Sequence, residues 1–247
     1  NTVRVRDAIS IGFLIFIILI PSFFIFLYIP TGFTGQVDLD WFELASSIFN
    51  SIFVATLATI INLIIGIPLA IFITRKETIL SRILDILVDV PYVVPSAALG
   101  FSVGLFWSTQ AFISNELFFV IMAHMSMTFP FIVRNTIGGL SDLSIDTEDT
   151  ARTLGARPFA VFSLISFPVI KFSIIAGIIM SFTRSIGETG ATTAVSATVN
   201  TAPALIKRMI ETDNFFEASI AIIALIVVTS IIIFTLRKVL GFKRVSR

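Results

Sequence analysis

The stretch IFNSIFVATLATIINLIIGIPLAIFI, from Ile48 to Ile73, runs for 26 residues without one charged side chain. Crossing about 30 Å of hydrocarbon takes roughly 20 apolar residues in a helix, more than a helix buried in a soluble core usually supplies. The stretch therefore reads as a membrane span. Working outward, five further runs have the same character: Ile11–Ile29, Ile86–Trp107, Leu117–Leu140, Val169–Val195 and Phe216–Leu236. Asp89, Pro91 and Pro95 interrupt the Ile86–Trp107 run, and Arg184, Glu188 and two glycines interrupt Val169–Val195. The fold class expected is an all-α membrane protein with six transmembrane helices.

Composition agrees. Of 247 residues, 56% are hydrophobic and only 13% are charged, with a mean hydropathy of +1.00, too few charges to coat a soluble globule. A net charge of +1 with scattered basic residues excludes the clustered cationic face that nucleic acid needs. The absence of cysteine removes disulfides, thiolate metal sites and thiol nucleophiles. No small-residue cleavage site follows the first apolar run, which reads as a retained span. No repeat or low-complexity linker divides the chain, so residues 1–247 are expected to form a single transmembrane domain.

Lysine and arginine in short loops stay on the cytoplasmic side. Placing both termini in the cytoplasm puts Arg4, Arg6, Arg75, Lys76, Arg82, Arg134, Arg152, Arg157, Lys171, Arg237, Lys238, Lys243, Arg244 and Arg247 there, against Lys207 and Arg208 outside. Fourteen against two orients the chain. Thr31–Ser47, Ser108–Glu116 and Asn200–Phe215 then become external loops, with Glu116 among their exposed acids. Tyr28, Trp41 and Trp107 fall near the external ends of spans, where aromatic side chains anchor at the interface.

The longest polar stretch on the inner side, Ser141–Arg157, has the marks of a short helix. Asp142, Ser144 or Asp146 can cap its start, Glu148 and Asp149 suit its positive end, and Arg152 and Arg157 follow toward the negative end. Small Ala151 and Gly155, four apart, are expected to share a face that allows close backbone approach. Pro158 and the apolar group Phe159, Val161, Phe162, Leu164 and Ile165 come next.

This loop resembles a known pattern. Asp149-Thr150-Ala151, three residues, Gly155, nine residues, Ile165, one residue, Phe167-Pro168 is similar to the EAA loop of ATP-binding-cassette importer permeases, which runs Glu-Ala-Ala, Gly, Ile, Leu-Pro at the same spacing. The departures are Asp for Glu, Thr for the first Ala and Phe for Leu. The resemblance implies the type I importer permease fold, with a cytoplasmic coupling helix inside a loop at about 141–168. It further implies that Asp149, Thr150, Ala151, Gly155, Ile165 and Pro168 engage a separate ATPase. No Gly-x-x-x-x-Gly-Lys-Ser/Thr phosphate loop occurs in the chain, so ATP and Mg²⁺ belong to that partner and no cofactor is expected here. The partners implied are two ATPase subunits, a second permease chain, identical or related, and an external solute-binding protein, with the assembly in the cell membrane of a prokaryote. Asp85–Pro95 and Ser181–Ala191 resemble the oxyanion permeases for molybdate, tungstate and sulfate. Gly187-Glu188-Thr189 is also similar to phosphate permeases, and iron and thiamine permeases share parts of the pattern.

Within the spans, Arg184 and Glu188 are four apart and so lie on one helix face. A lone charge at mid-membrane costs about 2.5–3.5 kcal/mol, so pairing or a wet cavity is required. Two readings follow: a structural ion pair, or a place on the translocation path or gate. Gly187, Gly190, Thr192, Thr193 and Ser196 join the second reading, because glycines can break a helix and hydroxyls can pass an anion without trapping it. The alternative for them is tight packing and hydroxyls bonded back to carbonyls. His124, the sole histidine, sits among Met122, Met125 and Met127 and reads as packed rather than metal-bound. Asp85 and Asp89 share a face and suit capping, gating or subunit contact. Two other classes remain to be set against the importer: an ion-coupled secondary transporter, which needs inverted repeats or midplane carboxylates, and a membrane enzyme, which needs a nucleophile and base.

Overall fold

A computed structural model describes residues 10–26, 38–110 and 115–239. Arg4, Arg6, Tyr28, Lys243, Arg244 and Arg247, and with them both termini and the first seven residues of the first external loop, lie outside the described residues. Among the described residues all regular structure is helical. Four helices are long and apolar enough to cross a membrane: α2 (Trp41–Arg75), α6 (Glu116–Ser141), α8 (Pro158–Ile186) and α11 (Phe215–Val239). The first helix, α1 (Ser10–Phe23), is shorter than a crossing length, and the rest of the Ile11–Ile29 run extends beyond the described residues.

Two of the expected spans are not single helices. The Ile86–Trp107 run belongs to α3 (Ile79–Leu87), a turn of helix α4 (Val90–Val93) and α5 (Ser96–Gln110), bent by 114° between the first two and α5. Pro91 enters α4 in its first turn, while Pro95 forces Val94 into an extended conformation (φ −79°, ψ 129°). The Val169–Val195 run starts earlier and stops earlier than expected. It follows directly from Pro158 through a π-helical segment, Phe162–Ser166, and ends at Ile186, with α9 (Gly190–Val195) resuming after a three-residue break.

Helix α2 extends beyond both ends of the expected Ile48–Ile73 run. Its N-cap, Asp40, accepts from the amides of Phe42 and Glu43 at 2.9 and 3.0 Å, so the second half of the expected external loop is helical. At about 1.5 Å per residue its 35 residues span roughly 50 Å, well past the hydrocarbon. Its buried side is mostly small or polar: Ser47, Ser51, Ala55, Ala58, Asn62, Gly66 and Ala70 recur every three or four positions, beside Thr59, Leu44 and Val54. Small residues let helix backbones approach where hydrocarbon offers no hydrophobic drive. Ala70 of α2, Val133 and Leu140 of α6, and Ile170 and Ile174 of α8 form one core cluster, which makes α2, α6 and α8 the central trio.

Beyond α6, α7 (Ile145–Thr153) sits at the end where α2 finishes. At the opposite end, the expected Asn200–Phe215 loop contains the amphipathic helix α10 (Ala202–Glu211), whose Leu205 and Ile206 pack with Leu39 and Leu44 beside the start of α2. Glu43 holds α10 there by pairing with Arg208 and accepting from Asn200 Nδ2 at 3.2 Å.

Candidate functional site

Helix α7 begins at Ser144, whose hydroxyl accepts from the Asp146 amide at 3.3 Å. It stops at Thr153 because Gly155 adopts φ +89°, a left-handed conformation that costs a residue with a Cβ about 1–2 kcal/mol. The turn is closed by Gly155 N–H to Arg152 O at 2.9 Å and Ala156 N–H to Ala151 O at 3.0 Å. This corrects the expected shared face. Gly155 lies beyond the helix, a Cβ there would meet nothing within 4 Å, and its work is to reverse the chain toward Pro158.

Asp149 and Thr150 are exposed and Ala151 is half-buried. Asp149 pairs with Arg152 at 2.8 Å, and Thr150 bonds back to Asp146 O. Ile165 is half-buried in the π-helical segment, and Pro168 is exposed one turn further along α8. The carboxylate that fastens the loop is the preceding one. Glu148, 4% exposed, takes Arg75 Nε at 3.0 Å on Oε2, and on Oε1 it takes Arg75 Nη2 at 3.3 Å and Ser166 Oγ at 2.7 Å. Arg75 Nη2 also donates to the carbonyls of Leu140 and Leu143 at 3.2 and 3.3 Å. One guanidinium thus joins the end of α2, the end of α6 and α7, and through Ser166 the start of α8. Sequence reasoning placed Arg75 only as a cytoplasmic charge and Glu148 only as a complement to the helix dipole. Leu154 and Phe159, 84% and 80% exposed, flank the Gly155 turn and leave an apolar surface beside it.

At the break between α8 and α9, Arg184 and Glu188 do form an ion pair, with Glu188 buried and Arg184 partly exposed. Glu188 Oε1 also accepts the Ala191 amide at 2.8 Å and so caps α9. Gly187 and Arg184 line a groove together with Phe131, Met180 and Thr183. Gly190 is needed for a close approach: a Cβ there would fall 2.6 Å from Ser96 Oγ. Ser96, Gly100 and Gly104, each four apart on α5, make the matching seam, and a Cβ on Gly100 would fall 2.7 Å from Ala191 Cα.

The hydroxyls are spoken for. Thr192 Oγ1 and Ser185 Oγ each stand 2.8 Å from a ring nitrogen of His124, which ties α6 to both sides of the break. Thr193 bonds back to Thr189 O at 3.1 Å. Ser196 donates to Glu116 Oε2, which also takes the amides of Ala197 and Thr198 at 3.1 and 3.0 Å and the Thr198 hydroxyl at 2.8 Å. Glu116 is therefore no idle surface acid, contrary to expectation.

Arg134 lies inside α6, seven residues from its end, and answers Asp85 and Asp89. Its Nε and Nη2 meet the two oxygens of Asp89 at 2.7 and 2.8 Å, Nη1 meets Asp85 Oδ1 at 2.5 Å, and Nη2 also bonds the Asp85 carbonyl. The fork spans the turn where α3 gives way to α4. Its signal in the sequence was an arginine inside an apolar run, a charge that needs a partner.

Comparison with known proteins adds to this geometry. Residues 62–245 match the family described as binding-protein-dependent transport system inner membrane component. The molybdate/tungstate transport system permease protein of Pyrococcus furiosus is 31% identical over 189 residues, covering 76% of this chain and 74% of that one. Its counterpart in Methanocaldococcus jannaschii is 26% identical over 247 residues, 95% and 98% of the two chains. A probable sulfate transport system permease protein of Nephroselmis olivacea is 29% identical over 181 residues, 67% of this chain, and the match spans only 64% of that protein's length. Among solved structures, the inward-facing MetNI methionine ABC transporter superposes with a TM-score of 0.72 at 15% identity, over 85% of this chain and 100% of the other. A bacterial ABC transporter that imports alginate gives 0.66 at 15% identity over 99% and 100%. At such identities the likeness speaks for the fold alone.

Proposed function

We propose, from the premise that this chain belongs to the family of binding-protein-dependent transport system inner membrane components, that it is the permease subunit of an ATP-driven importer for a small oxyanion, molybdate, tungstate or sulfate. The observation that carries the reading is α7, a short helix outside the spans fastened by Glu148 to Arg75 and Ser166. A chain without a phosphate loop receives force from another protein, and a helix joined to three spans can pass that force on as a rigid body. Asp149, Thr150, Ala151 and the Gly155 turn present the surface, with Leu154 and Phe159 beside it, while Ile165 and Pro168 lie within α8, at and just after its π-helical segment.

In this reading two ATPase subunits hold ATP and Mg²⁺, and this chain performs no hydrolysis. A second permease chain completes the pathway, an external binding protein delivers the anion, and the complex sits in a prokaryotic cell membrane with both termini and α7 in the cytoplasm. ATP-driven closure of the ATPases draws the two α7 helices together and turns the cavity outward. The break at Gly187–Thr189, with Arg184 beside it, lies along the moving wall. The substrate class is supported by the names of the aligned relatives, which are sulfate and molybdate/tungstate permeases.

The test is uptake of labelled molybdate, tungstate, sulfate and phosphate into vesicles holding the complete complex and its binding protein. ATP-dependent accumulation of one of the first three, abolished without the binding protein, is expected. Accumulation driven by an ion gradient without ATP would overturn the reading.

A further inference from the structure

We propose that the cleft behind α7 is a binding site for one anionic phospholipid, whose phosphate sits at Arg75 and Lys76 while an acyl chain lies along α2. The cleft, about 460 Å³, lies between the end of α2, the end of α6, α7 and the start of α8. Its wall is apolar, with Ile71, Phe72 and Phe162 among its lining, and its charged residues are Arg75, Lys76, Arg152 and Glu148. Glu148 pairs with Arg75 and Asp149 pairs with Arg152, which leaves Lys76 as one uncompensated positive charge, a match for a single phosphodiester.

Three features point to a lipid. Arg75 follows the uncharged run Ile48–Ile73 by two residues, so the cleft opens where the apolar part of the helix gives way to charge, the depth at which headgroups lie. Ile71, Phe72 and Phe162 stay half-exposed there, and water covers them poorly whereas an acyl chain covers them well. The third feature is unspent donors: among the described residues Arg75 gives its hydrogen bonds from Nε and Nη2, which leaves the protons of Nη1 for a ligand. Lys76 is exposed and makes no ion pair among the described residues. Basic pockets between spanning helices hold phosphate headgroups in this way. The occupant would brace α7 from behind, on the side away from its exposed face. This inference rests on the depth of the cleft in the membrane and goes beyond the transport role.

The experiment is native mass spectrometry of the complete complex purified from bilayers of equal phosphatidylglycerol and phosphatidylcholine. Retained phosphatidylglycerol in excess of phosphatidylcholine is expected. Lys76→Gln should cut that retention about fivefold, the effect of one interfacial cation. Phe72→Trp, which narrows the wall, should cut it too, whereas Arg82→Gln, removing an exposed cation on α3 that does not line the cleft, should not. Soluble glycerophosphoglycerol should compete weakly. Equal retention of the two lipids, equal effects of Lys76→Gln and Arg82→Gln, or full displacement by the soluble headgroup would each overturn the proposal. Because lipid retention is read without transport, a failed uptake assay leaves this result standing.

Discussion

Arg75 and Glu148 stand 73 positions apart in the chain, yet the guanidinium and carboxylate meet at 3.0 Å with side chains only 11% and 5% exposed. This pair, with Ser166 bonded to the same carboxylate, fastens α7 to the end of α2.

Breaking it from one side strands a buried charge. Arg75→Met should destabilise the seating of α7 by about 3–5 kcal/mol, the usual cost of orphaning one partner of a buried pair. Glu148→Gln should cost less, since Ser166 and Arg75 can still donate to the amide oxygen. Trypsin cleavage after Arg152 and Arg157 is the measurement, with faster cutting expected in the order Arg75→Met, Glu148→Gln, wild type. Identical cleavage in all three would remove the pair from the account.

The Gly155 turn makes a different demand, on the backbone alone. With φ at +89° and no neighbour within 4 Å of a Cβ, bulk is not the obstacle. Gly155→Ala should weaken ATPase co-purification through strain of about 1 kcal/mol, and Gly155→Asn, which tolerates the left-handed region better, should weaken it less. If alanine and asparagine behave alike, the turn is not what positions α7.

Arg134 reads two carboxylates through a planar fork, a geometry lysine cannot copy. Arg134→Lys should lower the stability of the purified protein by about 1–3 kcal/mol, the worth of hydrogen bonds to charged groups. Asp89→Asn should cost less than Arg134→Lys, because Asp85 keeps its bond. Thermal unfolding in detergent reports both, and a lysine variant as stable as wild type would contradict the fork.

Glu116→Ala should expose the amides of Ala197 and Thr198, which donate to its carboxylate. Hydrogen exchange there should accelerate while exchange within α6 is unchanged. Unaltered protection at both amides would show that the loop holds itself.

The spans were legible because hydrophobicity accumulates along the chain: α6 was expected at Leu117–Leu140 and is Glu116–Ser141. The short helix after α6 was legible through its capping residues, Ser144 among them, and Gly155 stood out before its reason was known. Its reason was misread because four-residue spacing implies a shared face only while the helix lasts, and α7 ends at Thr153. The 114° bend was foreshadowed by Pro91 and Pro95, though not its size. What stayed hidden is pairing across distance. Arg134 with Asp89, His124 with Thr192 and Glu116 with Ser196 bridge 45, 68 and 80 positions, and no local pattern says which hydroxyl or carboxylate a buried group will find.

The loop's shape rests on Glu148, tucked inside, and on Gly155, which contributes backbone conformation and no side chain. Asp149, Thr150 and Thr153 face outward and bear none of that burden. A cell that runs several importers of this design faces a problem of address, since look-alike engines must not be mounted on the wrong channel. On the proposed coupling role, that outward label can be rewritten without disturbing the turn beneath it, since Asp149 and Thr150 take no part in fastening the loop.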